Sequence, residues 1–258
     1  MIPEISILGQ KYSSYNLSII VGIIFVIGIF SKYEKSVEER EKDNVISLMG
    51  ITLLVSFLSA ILGDKLMHFT TWSEFKNQFF KLSGMTFIWG FIGGVAFFFI
   101  GYTIMCKSFQ NTLKIMNVLT PYFIIGQMFG RLGCLLGGCC YGKPSDHFIG
   151  LTYPENSPAF LEYGKQNLYP TPLMEIGWLL VILLCCRKVK NLENKKVMTY
   201  FVMYPIGRFV LEFFRGDDRG TGYLGMSPSQ TVCVAMLVGS MGIGYVITRW
   251  NKRRIGGI

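Results

Sequence analysis

The chain has 258 residues, 51% of them hydrophobic and 16% charged, with a formal net charge of +9 and a mean hydropathy of +0.41. Soluble domains carry about a quarter charged residues, so a soluble enzyme, a disordered tail and a secreted disulfide scaffold all fit poorly. A polytopic membrane protein remains, read as one integral membrane domain over residues 1–258 because no polar linker divides it.

Seven apolar runs, at about 15–33, 45–62, 82–106, 115–140, 171–186, 198–214 and 228–248, predict an all-α fold of seven transmembrane helices. The first run lacks a basic flank, since Glu4 and Lys11 cancel, and Ser31-Lys32-Tyr33 is no cleavage site. It is therefore read as a helix and not as a signal peptide. With the N-terminus outside, the inside segments hold 15 Lys and Arg and the outside segments 8, which predicts an N-out, C-in orientation. The positive charge then reflects orientation and contact with anionic membrane lipid, with no nucleic-acid partner.

Two outside segments carry features of their own. Residues 63–81 mix Trp72, Phe75, Phe79 and Phe80 with Lys76 and Lys81, predicting a helix that lies in the interface. Residues 141–170 carry Pro144, Pro154, Pro158 and Pro170 and predict an irregular extracytoplasmic loop. In the third run, Gly90, Gly93 and Gly94 predict close helix packing.

Ionisable groups inside spans cost roughly 2.5–3.5 kcal/mol each on insertion scales and mark function by default. Arg131, Glu175, Arg208 and Glu212 stand inside or at the start of the runs, with Arg215 near a run's end. Tyr204, Arg208, Glu212 and Arg215 are spaced along one helix face, and Arg208 and Glu212 are placed to pair. One reading is a structural ion pair, which leaves Arg131 on another helix without a partner. The other is a cationic pocket, because two guanidinium forks from different helices would clamp a phospholipid headgroup. Around Arg131, the run from Gly130 to Gly142 (GRLGCLLGGCCYG) is rich in glycine, which predicts broken or closely approached backbone beside a cavity. Glu175 follows Pro170 and Pro172 near a helix start, where the helix dipole alone also favours it.

Of the seven cysteines, Cys134, Cys139 and Cys140 cluster beside Arg131. A guanidinium favours a thiolate, so Cys134 or Cys139 is a candidate nucleophile, the alternatives being packing and thiol redox chemistry. The C-x4-C-C spacing lacks the usual zinc pair and nearby His ligands, so no metal site is expected.

These runs together resemble the bacterial prolipoprotein diacylglyceryl transferases. The family's Gly-Arg-x-Gly-Asn-x-x-Asn-x-Glu-x-x-Gly signature aligns without a gap onto Gly130 to Gly142, with Cys134, Gly137 and Cys139 at the two Asn positions and the Glu. Its Tyr-x-x-x-Arg-Phe-x-x-Glu-x-x-Arg element matches Tyr204, Arg208, Phe209, Glu212 and Arg215. Its His-Pro-Ser-Gln-Leu-Tyr-Glu element is similar to Tyr169–Glu175. Its Gly-Met-Ser-Phe-His-Gly-Gly stretch is similar to Gly84–Gly94, with Ile88 at the His.

The resemblance implies a lipid transferase of the bacterial inner membrane. Its donor would be phosphatidylglycerol, its acceptor the lipobox cysteine thiol of a preprolipoprotein signal peptide, and its site would face the extracytoplasmic side. Arg131 and Arg208 would hold the phosphate and Glu212 would orient Arg208, these three being the catalytic set. Gly130, Tyr204, Arg215 and Glu175 would complete the substrate wall, and no cofactor would be needed. The only histidines, His68 and His147, are read as lying in outside loops. The lost polar positions also leave room for a different acceptor or for a silent lipid binder.

Overall fold

The computed structural model describes residues 2–7, 10–68, 87–188, 195–217 and 225–255. The chain is mostly helical: α1 (Ser14–Tyr33), α2 (Glu39–His68), α3 (Phe87–Cys106), α4 (Phe109–Gly137), the short α5 (Pro158–Tyr163), α6 (Thr171–Lys188), α7 (Lys196–Glu212) and α8 (Pro228–Ile255). Three of these helices have segments long and apolar enough to cross a membrane: Ser14–Tyr33, Glu39–Leu62 and Phe109–Gly137. Ile24, Leu54, Ile104 and Met241 are each well exposed, at 66% or more. In water such side chains would form costly apolar stripes, whereas lipid solvates them at no penalty.

The structure is mostly helical but departs from the all-α fold that the apolar runs predict. An antiparallel hairpin pairs β1 (Glu4–Ile7) with β2 (Gln10–Ser13), and β3 (Leu151–Thr152) pairs with β4 (Asn167–Leu168). Such strands are too short to leave a periodicity signal. The segment 141–170 is accordingly an ordered structure, not an irregular loop. Tyr141, Tyr153, Ala159 and Leu168 form a small buried core, and Ser157 caps α5 by accepting from the Phe160 N–H. The expected interfacial helix at 63–81 lies outside the described residues beyond His68, and His68 closes α2 where a loop was expected.

The chain divides into two compact units. One comprises Ile29–Ile115. In it, a Cβ on Gly90 would fall 2.9 Å from the Ser56 carbonyl oxygen, and Cβ atoms on Gly93 and Gly94 would overlap Ser59 and Ser56. These glycines let α3 approach α2 to backbone contact. The buried Tyr102 hydroxyl donates to Glu41, and Lys42 pairs with Glu39 at 2.7 Å.

The other unit comprises Met1–Gly28 and Met116–Ile258. Its core is built from Ile124, Leu179, Ile182, Leu183, Cys186, Tyr200 and Tyr204. Gly207 leaves room for the Trp178 indole, whose Nε1 donates to the Met203 carbonyl at 3.0 Å. The Ser18 hydroxyl ties α1 to the Phe129 carbonyl of α4 at 2.7 Å. At the start of α8, the Ser227 hydroxyl accepts from the Gln230 N–H at 3.2 Å while the Gln230 side chain accepts from the Ser227 N–H at 3.0 Å. This reciprocal cap, followed by Pro228 in the first turn, sets where α8 begins.

Candidate active site

The charged residues singled out in the sequence meet in this second unit. Arg131 extends from α4, and its Nε lies 2.8 Å from Glu175 Oε1 in the first turns of α6. The Tyr204 hydroxyl of α7 donates to that same oxygen at 3.1 Å. The other carboxylate oxygen of Glu175 faces Arg208 Nε at 3.9 Å. Arg208 in turn reaches Glu212 Oε2 with Nη1 at 2.5 Å and donates to the Ser229 hydroxyl with Nη2 at 3.1 Å. Glu212 accepts from the Ser227 hydroxyl at 2.8 Å and lies 4.0 Å from Arg215 Nε. Arg215 ends the series with a two-pronged bond to Asp217, at 2.8 and 2.7 Å.

Arg131 is therefore not left alone, and the cluster is not simply cationic. Three arginines alternate with three carboxylates, and Glu175 is the anion that both Arg131 and Arg208 approach. Glu175, Arg208 and Arg215 are buried, at 2%, 5% and 6% exposure. A buried charge needs both pairing and hydrogen bonds; the alternation supplies the pairing, while Arg208 Nη1 and Glu212 Oε2 face each other without hydrogen-bond geometry. Arg131 meets Glu175 through Nε and also lies against Tyr204, and its guanidinium carries five N–H donors in all. Burial works against the Arg215 charge, and Asp217 more than offsets that, leaving its guanidinium above the usual range.

The backbone around this series is held by glycine. Helix α4 runs unbroken through Gly130 and Gly133 to Gly137, so the expected break comes only after that point. A Cβ on Gly133 would sit 3.1 Å from the Tyr15 ring and carbonyl oxygen, whereas one on Gly130 would meet nothing within 4 Å. Gly130 thus has open space beside it. Gly142 bridges Arg215 in antiparallel fashion, and its N–H donates to the Tyr169 carbonyl at 2.9 Å. The next residue, Lys143, donates from its N–H to the Phe214 carbonyl at 2.9 Å. A Cβ on Gly142 would overlap Tyr169 and the Phe214 carbonyl.

Cys134 lies in the last turn of α4, and Cys139 and Cys140 follow it; none forms a disulfide. Their sulfur atoms lie within 4.8 Å of one another. The Thr171 hydroxyl donates to the Cys140 carbonyl at 2.5 Å, joining this turn to the start of α6. Ile88, at the position of the family's histidine, belongs to α3 of the other unit. Tyr169 packs its ring 5.4 Å from Phe214 and 6.1 Å from His147.

Four participants escaped the sequence reading. Asp217, Ser227 and Ser229 each bond a charged member of the series directly. Gln127, one turn before Arg131 on α4, accepts from the Tyr200 hydroxyl at 2.8 Å, and its amide nitrogen is buried without a hydrogen-bond partner among the described residues. The Ser227-Pro228-Ser229-Gln230 run carried a capping signal that would have located the two serines.

Known proteins resemble this chain along nearly their whole length. A sequence model described as prolipoprotein diacylglyceryl transferase matches residues 4–247. The phosphatidylglycerol–prolipoprotein diacylglyceryl transferase 2 of Clostridium perfringens (strain 13 / Type A) is 33% identical over 257 residues, covering 96% of this chain and 95% of the relative. The phosphatidylglycerol–prolipoprotein diacylglyceryl transferase of Clostridium tetani (strain Massachusetts / E88) is 30% identical over 255 residues, covering 95% and 96%. That of Campylobacter curvus (strain 525.92) is 24% identical over 262 residues, covering 95% and 93%. With the match spanning both arginine motifs and nearly every residue between the termini, the chain belongs to the prolipoprotein diacylglyceryl transferase family.

Proposed function

We propose that this protein transfers the diacylglyceryl group of phosphatidylglycerol to the lipobox cysteine of a preprolipoprotein, with glycerol phosphate leaving. The observation that carries this reading is the convergence of Arg131 and Arg208, from separate helices, on one buried carboxylate. A site that holds a carboxylate between two guanidinium groups offers donors of the right geometry for a phosphate diester. In the reaction the thiol sulfur bonds to the glyceryl carbon as the carbon–oxygen bond to phosphate breaks. The bonding pair departs with the phosphate, and the thiol proton passes to a base. Charge thus grows on phosphate oxygens, where Arg131 and Arg208 offset it.

In this reading Glu212 orients Arg208, while Tyr204, Arg215, Glu175 and Gly130 line the substrate wall. The protein is one integral domain of seven spans in the bacterial inner membrane, N-terminus out and C-terminus in, with the site on the extracytoplasmic side. Cys134, Gly137 and Cys139 replace polar residues of the family signature. That replacement favours, as the second reading, the same lipid donor with a different acceptor.

The test is a membrane assay with labelled phosphatidylglycerol and a lipobox peptide. Transfer by the wild type that is lost in Arg131→Ala supports the reading. Folded wild type that leaves the peptide unlabelled, or an Arg131→Ala variant that matches it, overturns it.

A further inference from the structure

The three sulfur atoms of Cys134, Cys139 and Cys140 lie within 4.8 Å of one another, which the linear spacing of these residues does not foretell. Zinc–thiolate bonds of about 2.3 Å place tetrahedral sulfur neighbours roughly 3.8 Å apart. The three thiols therefore need only small side-chain adjustments to close on one ion.

The local backbone is bent to bring them together. Helix α4 ends at Gly137, and the Cys139 N–H turns back to the Cys134 carbonyl at 3.1 Å. Gly138 and Cys140 both take left-handed conformations, with φ of +67° and +58°. At Gly138 a side chain would also collide with Ser157. At Cys140 the conformation is strained for a residue with a Cβ, and strain of this kind accumulates at functional sites. Cysteines that merely fill space do not require it.

Two further observations concern the surroundings. The Tyr153 hydroxyl is buried with no hydrogen-bond partner among the described residues, and it lies within electrostatic reach of Cys139 and Cys140. Arg215 and Arg131 both act electrostatically on Cys140. Three thiolates around a divalent ion leave one net negative charge, beside guanidinium groups whose own charges Glu175 and Asp217 already balance.

We propose that Cys134, Cys139 and Cys140 form a three-thiolate site for a thiophilic d10 cation of the zinc and cadmium class. On loading, the three thiols release three protons to solvent and each sulfur donates an electron pair to the ion, with no redox change. The fourth position of the tetrahedron is open to water or to the Tyr153 oxygen. The site does not depend on the lipid-transfer reading, because its ligands and its test involve no lipid.

Cadmium serves as the probe. The full-length protein is purified in detergent, reduced, and its thiols counted with a thiol reagent before titration under anaerobic conditions. The expected result is thiolate-to-cadmium charge-transfer absorption saturating at one ion per chain. Cys134→Ser, Cys139→Ser and Cys140→Ser should each weaken binding by more than roughly ten-fold, whereas Cys185→Ser and Cys233→Ser should leave it unchanged. Absence of the absorption, or equal binding by Cys139→Ser, overturns the proposal. A second measurement needs no variant. Bound cadmium should shield Cys134, Cys139 and Cys140 from alkylation in wild-type protein, read by peptide mass spectrometry, and equal labelling with and without cadmium overturns the site.

Discussion

Glu175 Oε1 lies 2.8 Å from Arg131 Nε, an ion pair between two helices that no periodicity in the sequence joins. The same carboxylate faces Arg208 at 3.9 Å and receives the Tyr204 hydroxyl. It is the point at which α4, α6 and α7 are held together by charge.

Removing that charge should be felt first as instability. Glu175→Gln retains an acceptor for Tyr204 but leaves the part-buried Arg131 and the buried Arg208 without their shared anion. Breaking a buried pair from one side costs about 3–5 kcal/mol. Thermal unfolding in detergent should show a lowered Tm, with Glu175→Ala at least as low; an unchanged Tm would mean that solvent or lipid already screens both arginines.

Gly130 and Gly142 should behave differently under the same substitution. Gly142→Ala places a methyl group against Tyr169 and the Phe214 carbonyl, and overpacking of this kind costs about 1–3 kcal/mol. It should also displace Arg215, whose backbone pairs with Gly142. Gly130→Ala meets nothing within 4 Å, so stability should stay near wild type. If Gly130 lines the lipid site as proposed, its alanine variant loses transfer without losing Tm, and retention of full transfer would remove it from the substrate wall.

Ser229 offers a graded test of Arg208 positioning. A hydrogen bond to a charged group contributes about 1.5–3 kcal/mol, so Ser229→Ala should lower transfer roughly 10- to 100-fold if that bond fixes the guanidinium for the reaction. Ser229→Thr keeps the hydroxyl and should restore most of the rate. Equal rates for both variants and wild type would show that Glu212 alone holds Arg208.

Ser227 joins a helix cap to the ion-pair series. Ser227→Ala should lose about 1 kcal/mol of capping together with the Glu212 contact. Ser227→Asp keeps a capping oxygen but sets a carboxylate against Glu212. Transfer by Ser227→Asp should fall below that of Ser227→Ala even where its Tm is higher, and a rate that simply follows Tm would reduce Ser227 to a capping residue.

Helices were readable because apolar runs announce themselves: the described helices overlap each of the seven predicted runs, and three of them are long and apolar enough to cross a membrane. Run edges were less readable. Helix α2 extends to Glu39 and includes charged residues that hydropathy alone excludes, whereas α4 stops at Gly137, before Cys139 and Cys140, which the predicted run included. The Arg208–Glu212 pair was legible because it lies on one helix turn. Glu175 as the partner of Arg131, and Asp217 as the partner of Arg215, depend on tertiary placement and leave no periodic trace. The compact segment 141–170 was hidden by its prolines, which suggest irregularity even where, as at Pro158, they begin a capped helix.

An alternating row of three cations and three anions exerts little pull at a distance, since its members cancel beyond their own neighbourhood. Free phosphate, sulfate or nucleotides in the surrounding water would gain no steering toward such a row. A phosphate delivered by its own acyl chains, already concentrated in the bilayer beside the helices, needs none. Electroneutrality at rest would thus act as a filter, reserving the guanidinium groups for anions that arrive through lipid.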